Sequence, residues 1–390
     1  MGGCDLYLQL YLHFPFCKRK CLYCDFCSAA ETPETVAAYG EAMQKEIRLM
    51  AGRYPDARIS TVFLGGGTPT LVPPEVMAGV LDALHESFDV LPDAEFTSEG
   101  NPGTLTEKWL EMAMRRGLNR LSLGVQAAQD HLLKSIGRIH TVKEAEEAAA
   151  LAGRCGIRNL NLDAMFGLPG QTEKDYLDTL AALRSWGADH ISAYSLILEE
   201  GTPLYRLVNA GHMELPDEDE TASMYEHGID WLEQAGYRRY EVSNFAKPGF
   251  ECRHNIGYWQ GEWYLGLGVA AHSMLPTDRP GMFCQRRGNA ADVQAYIRAL
   301  QNGQEAPTDG VDLITPEDAM FETMMLGLRT VSGVAEERFE KRHSVSLRKR
   351  YGERLDSLVR DGLAQWVDGR FALTPRGIEI QNDVLMRLMD

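Results

Sequence analysis

The sequence predicts an α/β protein built on a parallel barrel or partial barrel, followed by a smaller C-terminal domain. Two observations carry that expectation. Six short β-rich runs recur between residues 6 and 198, separated by stretches with helical periodicity, and from about Thr315 the rhythm changes to helices and then a hairpin. Strand alternating with helix builds parallel βαβ units, and six in succession reach further than a short open sheet.

The first run, LYLQLYLHF (6–14), sets Leu6, Leu8, Leu10 and Leu12 on one face, the period of two that marks a strand. ISTVFLG (59–65), AEFTSEG (94–100), RLSLGVQ (120–126), NLNLDAMFG (159–167) and HISAYSLIL (190–198) follow. Amphipathic stretches at 34–53, 73–87, 106–116, 141–154 and 173–186 supply the helices between them. Beyond residue 200 the acidic, turn-rich ELPDEDE (214–220) precedes a helix, then come RRYEVSNFA (238–246) and the aromatic HNIGYWQGEWYLGLG (254–268). LDSLVRDGL followed by AQWVDGRFALTPRG reads as helix, strand, Asp-Gly turn, strand, a winged-helix-like unit. Residues 1–200 are therefore expected to form the barrel with a cysteine loop at 17–27, and 201–310 an accessory region completing it. Residues 311–390 are expected to form the C-terminal domain.

Charge and patterning narrow the function classes. No run approaches the ~18 apolar residues of a membrane span. The N-terminus lacks a basic region and cleavage site, and Leu6 stands where a myristoylation signal needs Ser or Thr, so a cytoplasmic protein is expected. A formal charge of −17 disfavours a nucleic-acid partner, and RKRYGER is read as a solvated helix face.

CKRKCLYCDFC packs Cys17, Cys21, Cys24 and Cys27 into one loop after the first strand. A disulfide knot, a zinc site and an iron–sulfur cluster compete for it. Cytoplasmic thiols stay reduced, and zinc commonly takes its four ligands as two separated pairs. Iron–sulfur clusters are bound by thiolates grouped in runs, and three cysteines leave one iron open to a small chelating ligand. The other strand ends carry GGGTPT (65–70), Glu99, Gln126, Asp163 and Tyr194, where parallel barrels collect their chemistry. A strand-end glycine or acid alone makes only a turn or a cap. All six together favour the cluster. Glycines let a backbone approach a ligand, Glu99, Gln126 and Asp163 suit ribose hydroxyls, and Arg138 suits a carboxylate.

YLHFPFCKRKCLYCDF resembles the cluster loop of radical S-adenosylmethionine (SAM) enzymes, in the branch of oxygen-independent coproporphyrinogen III oxidases and HemW-type haem chaperones. FLGGGTPTL, SEGNPGTL, NRLSLGVQ, NLDAMFGLPGQT, HISAYSLILEEGTPL and EVSNFAKPGFECRHNIGYW extend the resemblance over nearly the whole chain. It implies a partial (β/α)6 barrel and a [4Fe-4S] cluster on Cys17, Cys21 and Cys24. SAM contacts are implied at Tyr11, Gly66, Gly67, Thr68, Glu99, Gln126, Arg138 and Asp163, with Tyr194 near another. An electron donor for the cluster is implied as a partner.

Three features separate the oxidase from the chaperone. Oxidases carry a longer segment before the loop, which here is expected to be missing, with sixteen residues preceding Cys17. They place the fourth cysteine as C-x-C, whereas Asp25 and Phe26 precede Cys27 here, and CDF is chaperone-like. HNIGYW resembles the motif associated with haem handling, which implies haem as cargo, acceptor haemoproteins as partners and His254 as a haem ligand, with Cys252 as its rival. Carriage of haem is therefore expected over decarboxylation of coproporphyrinogen.

Overall fold

The computed structural model describes residues 6–389, so the Met-Gly start and the outermost ends of the first and last expected domains lie outside the described residues. All six expected strands form: β1 (Leu6–Phe14), β2 (Ala57–Gly66), β3 (Asp89–Gly100), β4 (Arg120–Gln126), β5 (Leu160–Phe166) and β6 (His190–Ser195). They pair in parallel in chain order. Between them run α1 (Pro33–Arg53), α2 (Pro74–Ser87), α3 (Glu107–Met114), α4 (Asp130–Ser135), α5 (Val142–Cys155) and α6 (Glu173–Ser185), and α7 (Pro203–Asn209) and α8 (Glu218–Gln234) follow β6. Helix starts follow the sequence. Thr32, Thr106, Thr141 and Thr172 each accept from a backbone N–H in the first turn, satisfying donors that the helix leaves free.

The accessory region adds strands to both sides of the six. Two short strands, β7 (Arg238–Arg239) and β8 (Asn244–Ala246), add antiparallel beyond β6. On the far side β9 (Tyr264–Leu267) pairs parallel with β1. Outside it lie β10 (His272–Pro276), β11 (Cys284–Asn289) and β12 (Thr308–Ile314), giving one sheet of twelve strands. That sheet does not close, so the barrel is partial. HISAYSLIL also stops pairing at Ser195, three residues earlier than its apolar run predicts.

Burial divides along the strands. Leu8, Leu10 and Leu12, with Val62, Leu64, Leu121, Leu123, Leu160 and Leu162, meet the helices in a continuous apolar core. The alternate residues face the concave side and are polar: Gln9, Tyr11 and His13 on β1, Glu95, Thr97 and Glu99 on β3, Ser122 and Gln126 on β4, Asn161 and Asp163 on β5. The C-terminal unit has its own core around Phe339, Tyr351, Leu355 and Phe371. Its hairpin joins Ala364–Val367 to Arg370–Leu373 through Asp368 and Gly369, whose φ values of 49° and 74° are those of the expected Asp-Gly turn.

Candidate functional site

A cavity of about 420 Å³ opens at the C-terminal ends of the six strands. Cys17, Cys21, Cys24, Gly66, Gly67, Thr68, Glu99, Gln126, Arg138, Asp163 and Tyr194 all line it. The sequence-expected residues thus converge from six loops onto one space, with two exceptions. Tyr11 lies just beneath the wall, its hydroxyl 3.1 Å from His13 Nδ1 and its ring stacked on Phe63. His254 lies elsewhere.

The cysteine loop has little regular structure and is pinned from outside. The Cys17 N–H donates to the Ala29 carbonyl at 2.9 Å, Leu22 N–H to Ile136 at 3.0 Å, and the Arg19 guanidinium to Gly137 at 2.9 Å. Cys17 Sγ stands 3.6 Å from Thr68 Oγ1, and Arg138 Nη1 donates to Cys21 Sγ at 3.5 Å. Cys27 turns out of this wall toward the apolar core, 4.0 Å from the Ala291 carbonyl. Among the described residues no three acid, thiol or imidazole side chains stand at metal-ligand spacing, so the three thiols share a wall and not yet a point.

Beside the start of the cysteine loop, two glycines let the backbone pack closely, the Gly67 N–H donating to the Phe14 carbonyl at 2.8 Å. Gly66 has φ of +104°, and a Cβ there would stand 2.5 Å from the His13 ring. A Cβ on Gly67 would press the Phe14 and Phe16 carbonyls. Gln126 sits at φ 78° although it is not glycine, a strained conformation held by burial and by the Tyr194 hydroxyl donating to its Oε1 at 2.9 Å.

The charged groups are left underpaired. Glu99 accepts from the Gly66 N–H at 3.1 Å, and its pKa is pushed up to about 8, chiefly by burial and then by Asp163. Burial pushes Asp163 up to about 6 despite a hydrogen bond from Asn161 at 2.7 Å. The Arg138 guanidinium, bonded to the Gly124 carbonyl, keeps its Nε shielded from solvent without a hydrogen-bond partner, and Ser28 Oγ in the same wall has none either. Two carboxyls with raised pKa values facing one cleft mark it as a candidate site for a polar ligand. Three thiols in one wall, with the Arg138 guanidinium against one of them and the Glu99 and Asp163 carboxyls in the same cavity, fit a thiolate-held cluster beside a small zwitterion.

A model of the radical SAM superfamily matches residues 11–183, and a model of the HemN C-terminal domain matches residues 314–380. The haem chaperone HemW of Lactococcus lactis subsp. lactis is 35% identical over 97% of this chain and 96% of its own length. The chain belongs to the HemW family of radical SAM proteins. HemW of Bacillus subtilis is likewise 35% identical over 96% and 97% of the two chains, and HemW of Escherichia coli is 39% identical over 69% and 70%. The crystal structure of the coproporphyrinogen III oxidase HemN from Escherichia coli superposes with a TM-score of 0.83 over 98% of this chain and 90% of that one. At 22% identity that likeness shows the fold, including the partial barrel.

The stretch HNIGYW lies outside the lining of the cavity. The sequence offers His254 as a haem ligand, but the structure buries it, 1% exposed, within α9 (Arg253–Trp259). Its Nδ1 pairs with Thr61 Oγ1 at 2.7 Å, its Nε2 with the Tyr258 hydroxyl at 3.1 Å, and its ring stacks on Phe63. Burial pulls its pKa down to about 3, so it is neutral and fully engaged. Cys252, the rival, is fully buried too, its Sγ 3.4 Å from Glu95, and burial pushes its thiol up to about 12. Gly257 of the motif packs where a Cβ would run into the Gln9 amide. Sequence reasoning also missed Asn161, which holds Asp163, and Asn101, which donates to Thr68 Oγ1 at 2.7 Å. Polar residues at alternate positions of the otherwise apolar NLNLDAM were the available signal for the first.

Proposed function

We propose that this chain is a haem chaperone that holds a [4Fe-4S] cluster on Cys17, Cys21 and Cys24, binds SAM, and delivers haem to acceptor haemoproteins. The observation that carries this reading is the full-length alignment to relatives that bear the name haem chaperone HemW. The three thiols and the raised-pKa carboxyls of the cavity support the cofactors. When bound, a reduced cluster held by Cys17, Cys21 and Cys24 would supply an electron to the sulfonium of SAM.

The protein's own part is to bind and orient. Thr68 and Arg138 stand against the thiols of Cys17 and Cys21 and orient them. The Arg138 guanidinium suits a carboxylate end. Glu99, Gln126 and Asp163 suit hydroxyls, and Tyr194 fixes the Gln126 amide so that its donor faces the cavity. The three-domain division of the chain belongs to the same reading, with the HemN C-terminal match at 314–380 supporting the last boundary. Among the described residues no helix is long and apolar enough to cross a membrane, which suits a cytoplasmic carrier.

The test is anaerobic. Reconstituted protein should take up haem with a shifted Soret band and pass it to an apo-haemoprotein, while coproporphyrinogen, SAM and a reductant yield no protoporphyrinogen. Steady formation of protoporphyrinogen would overturn this reading in favour of the oxidase.

A further inference from the structure

Beneath the cavity a row of buried side chains joins Asp163 to the helix that carries HNIGYW. Asn161 Nδ2 donates to Asp163 Oδ1 at 2.7 Å and to Ser122 Oγ at 2.8 Å. With its nitrogen committed to two acceptors, Asn161 turns Oδ1 toward His190, whose Nδ1 stands 2.6 Å away, and Ser192 Oγ donates to the same oxygen at 3.2 Å. An amide oxygen only accepts, so His190 carries its proton on Nδ1 and presents a bare Nε2. The Tyr240 hydroxyl, 2.7 Å from Nε2, must donate to it, and the Cys252 N–H in turn donates to the Tyr240 oxygen at 3.3 Å. Every proton from Cys252 to Asp163 points the same way.

The row ends on a carboxylate. Hydrogen bonds aligned in one sense polarise one another, and the low dielectric of a buried site strengthens them. His190 is fully buried, and burial with the nearby Arg120 pulls its pKa well below the usual value, so it stays a neutral link with one fixed tautomer. At the other end, Cys252 is the residue from which α9 starts, and Glu95 accepts from the Arg253 and His254 amides at 2.8 and 3.0 Å. A shift of Asp163 on ligand binding therefore has a bonded route to the start of that helix.

We propose that His190 is a positioning residue for Asp163, and that Tyr240, His190 and Asn161 couple the SAM cavity to α9. The proposal rests on the reading of Asp163 as a SAM contact. Calorimetric titration of the anaerobically reconstituted full chain with SAM tests it. Asp163→Ala and His190→Ala should each weaken binding about tenfold, and the double variant should be no weaker than Asp163→Ala, because residues acting through one another do not add. Losses that multiply to about a hundredfold would make His190 independent of Asp163 and overturn the proposal. Undiminished binding by Asp163→Ala would overturn the SAM reading and this proposal with it. A loss in Asp163→Ala without one in His190→Ala would overturn the proposal alone. Tyr240→Phe removes one hydroxyl and keeps the ring, and serves if His190→Ala fails to fold. Saturating SAM should slow amide exchange over 253–259 in the parent protein and not in Tyr240→Phe. Equal slowing in both, or none in the parent, would overturn the coupling.

Discussion

The concave face of the barrel carries two polar layers that contrast sharply. The upper layer, at the strand ends, leaves Glu99 and Asp163 with raised pKa values and Arg138 Nε without a partner. The lower layer, around α9, has committed the side chains that could act as ligands: Glu95 accepts two amides and the Cys252 thiol, and both nitrogens of His254 are bonded, although Gln9 Oε1, Thr97 Oγ1 and Arg120 Nε there lack hydrogen-bond partners. An acid at a helix N-terminus complements its free amides and dipole, so Glu95 belongs to the architecture. Both layers hold residues that sequence alone offers as ligands. What separates them is whether the surrounding protein has already used their bonding capacity.

The sharpest way to break that contrast is to remove the thiols. Cys17→Ala, Cys21→Ala and Cys24→Ala should each abolish iron retention after anaerobic reconstitution, an all-or-none effect read by iron content and visible absorption. Cys27→Ser should retain both, because its thiol leaves the cavity wall for the core. Equal loss with Cys27→Ser would put the fourth cysteine among the ligands.

In the lower layer the expected effect falls on stability. His254→Ala removes a stacked ring and leaves Thr61 and Tyr258 without their partner, which should cost roughly 2–4 kcal/mol in urea unfolding. SAM affinity and the Soret band of added haem should hold. A lost Soret shift with unchanged stability would move His254 into the haem site.

The upper layer should respond to pH. Glu99 at about 8 and Asp163 at about 6 both lie above the usual carboxylate range, so the folded, empty site holds protons that the unfolded chain releases. That contribution costs stability increasingly as pH rises from about 4.3 toward 8, and SAM-free protein should be less stable at pH 8 than at pH 6. Ligand hydroxyls or ammonium prefer the carboxylate form, so SAM should bind more tightly with rising pH, by up to about tenfold per unit for each proton released. Glu99→Gln should flatten the profile toward pH 8. A profile unchanged by that variant would remove Glu99 from the site.

How much of this was legible follows from what each signal measures. Alternation of strand and helix reports burial, and the six strands of the barrel appear where the Leu, Ile and Val pattern puts them. The cysteine loop and GGGTP were readable because chemistry restricts those residue types at those spacings. The strands that flank both edges were not, since β9 reaches β1 across some 250 residues of chain. Nor was the direction of His254: HNIGYW gives the side chain but not the Thr61 hydroxyl, 193 residues away in sequence, that engages its Nδ1. Gln126 was legible as a polar residue at a strand end, but only the fold reveals its left-handed backbone.

The smallest expected effect sharpens the comparison most cleanly. Tyr258→Phe deletes one hydroxyl, 3.1 Å from His254 Nε2, and leaves the ring edge-on to both His254 and Tyr264. Packing is therefore conserved, and the loss should be that of a single hydrogen bond plus an unpaired buried nitrogen, about 1 kcal/mol. A fall in melting temperature of a few degrees with SAM binding untouched would place the hydroxyl wholly within the satisfied layer. The informative alternative is a freed Nε2. With its partner gone, the imidazole keeps one nitrogen available, and burial alone stands between it and a metal. If haem added to Tyr258→Phe shows a Soret band different from that of the parent, α9 opens to haem, and the Tyr258 hydroxyl is the latch that keeps His254 neutral and closed. An identical band would leave the helix as architecture and send the search for the axial ligand to the cavity mouth.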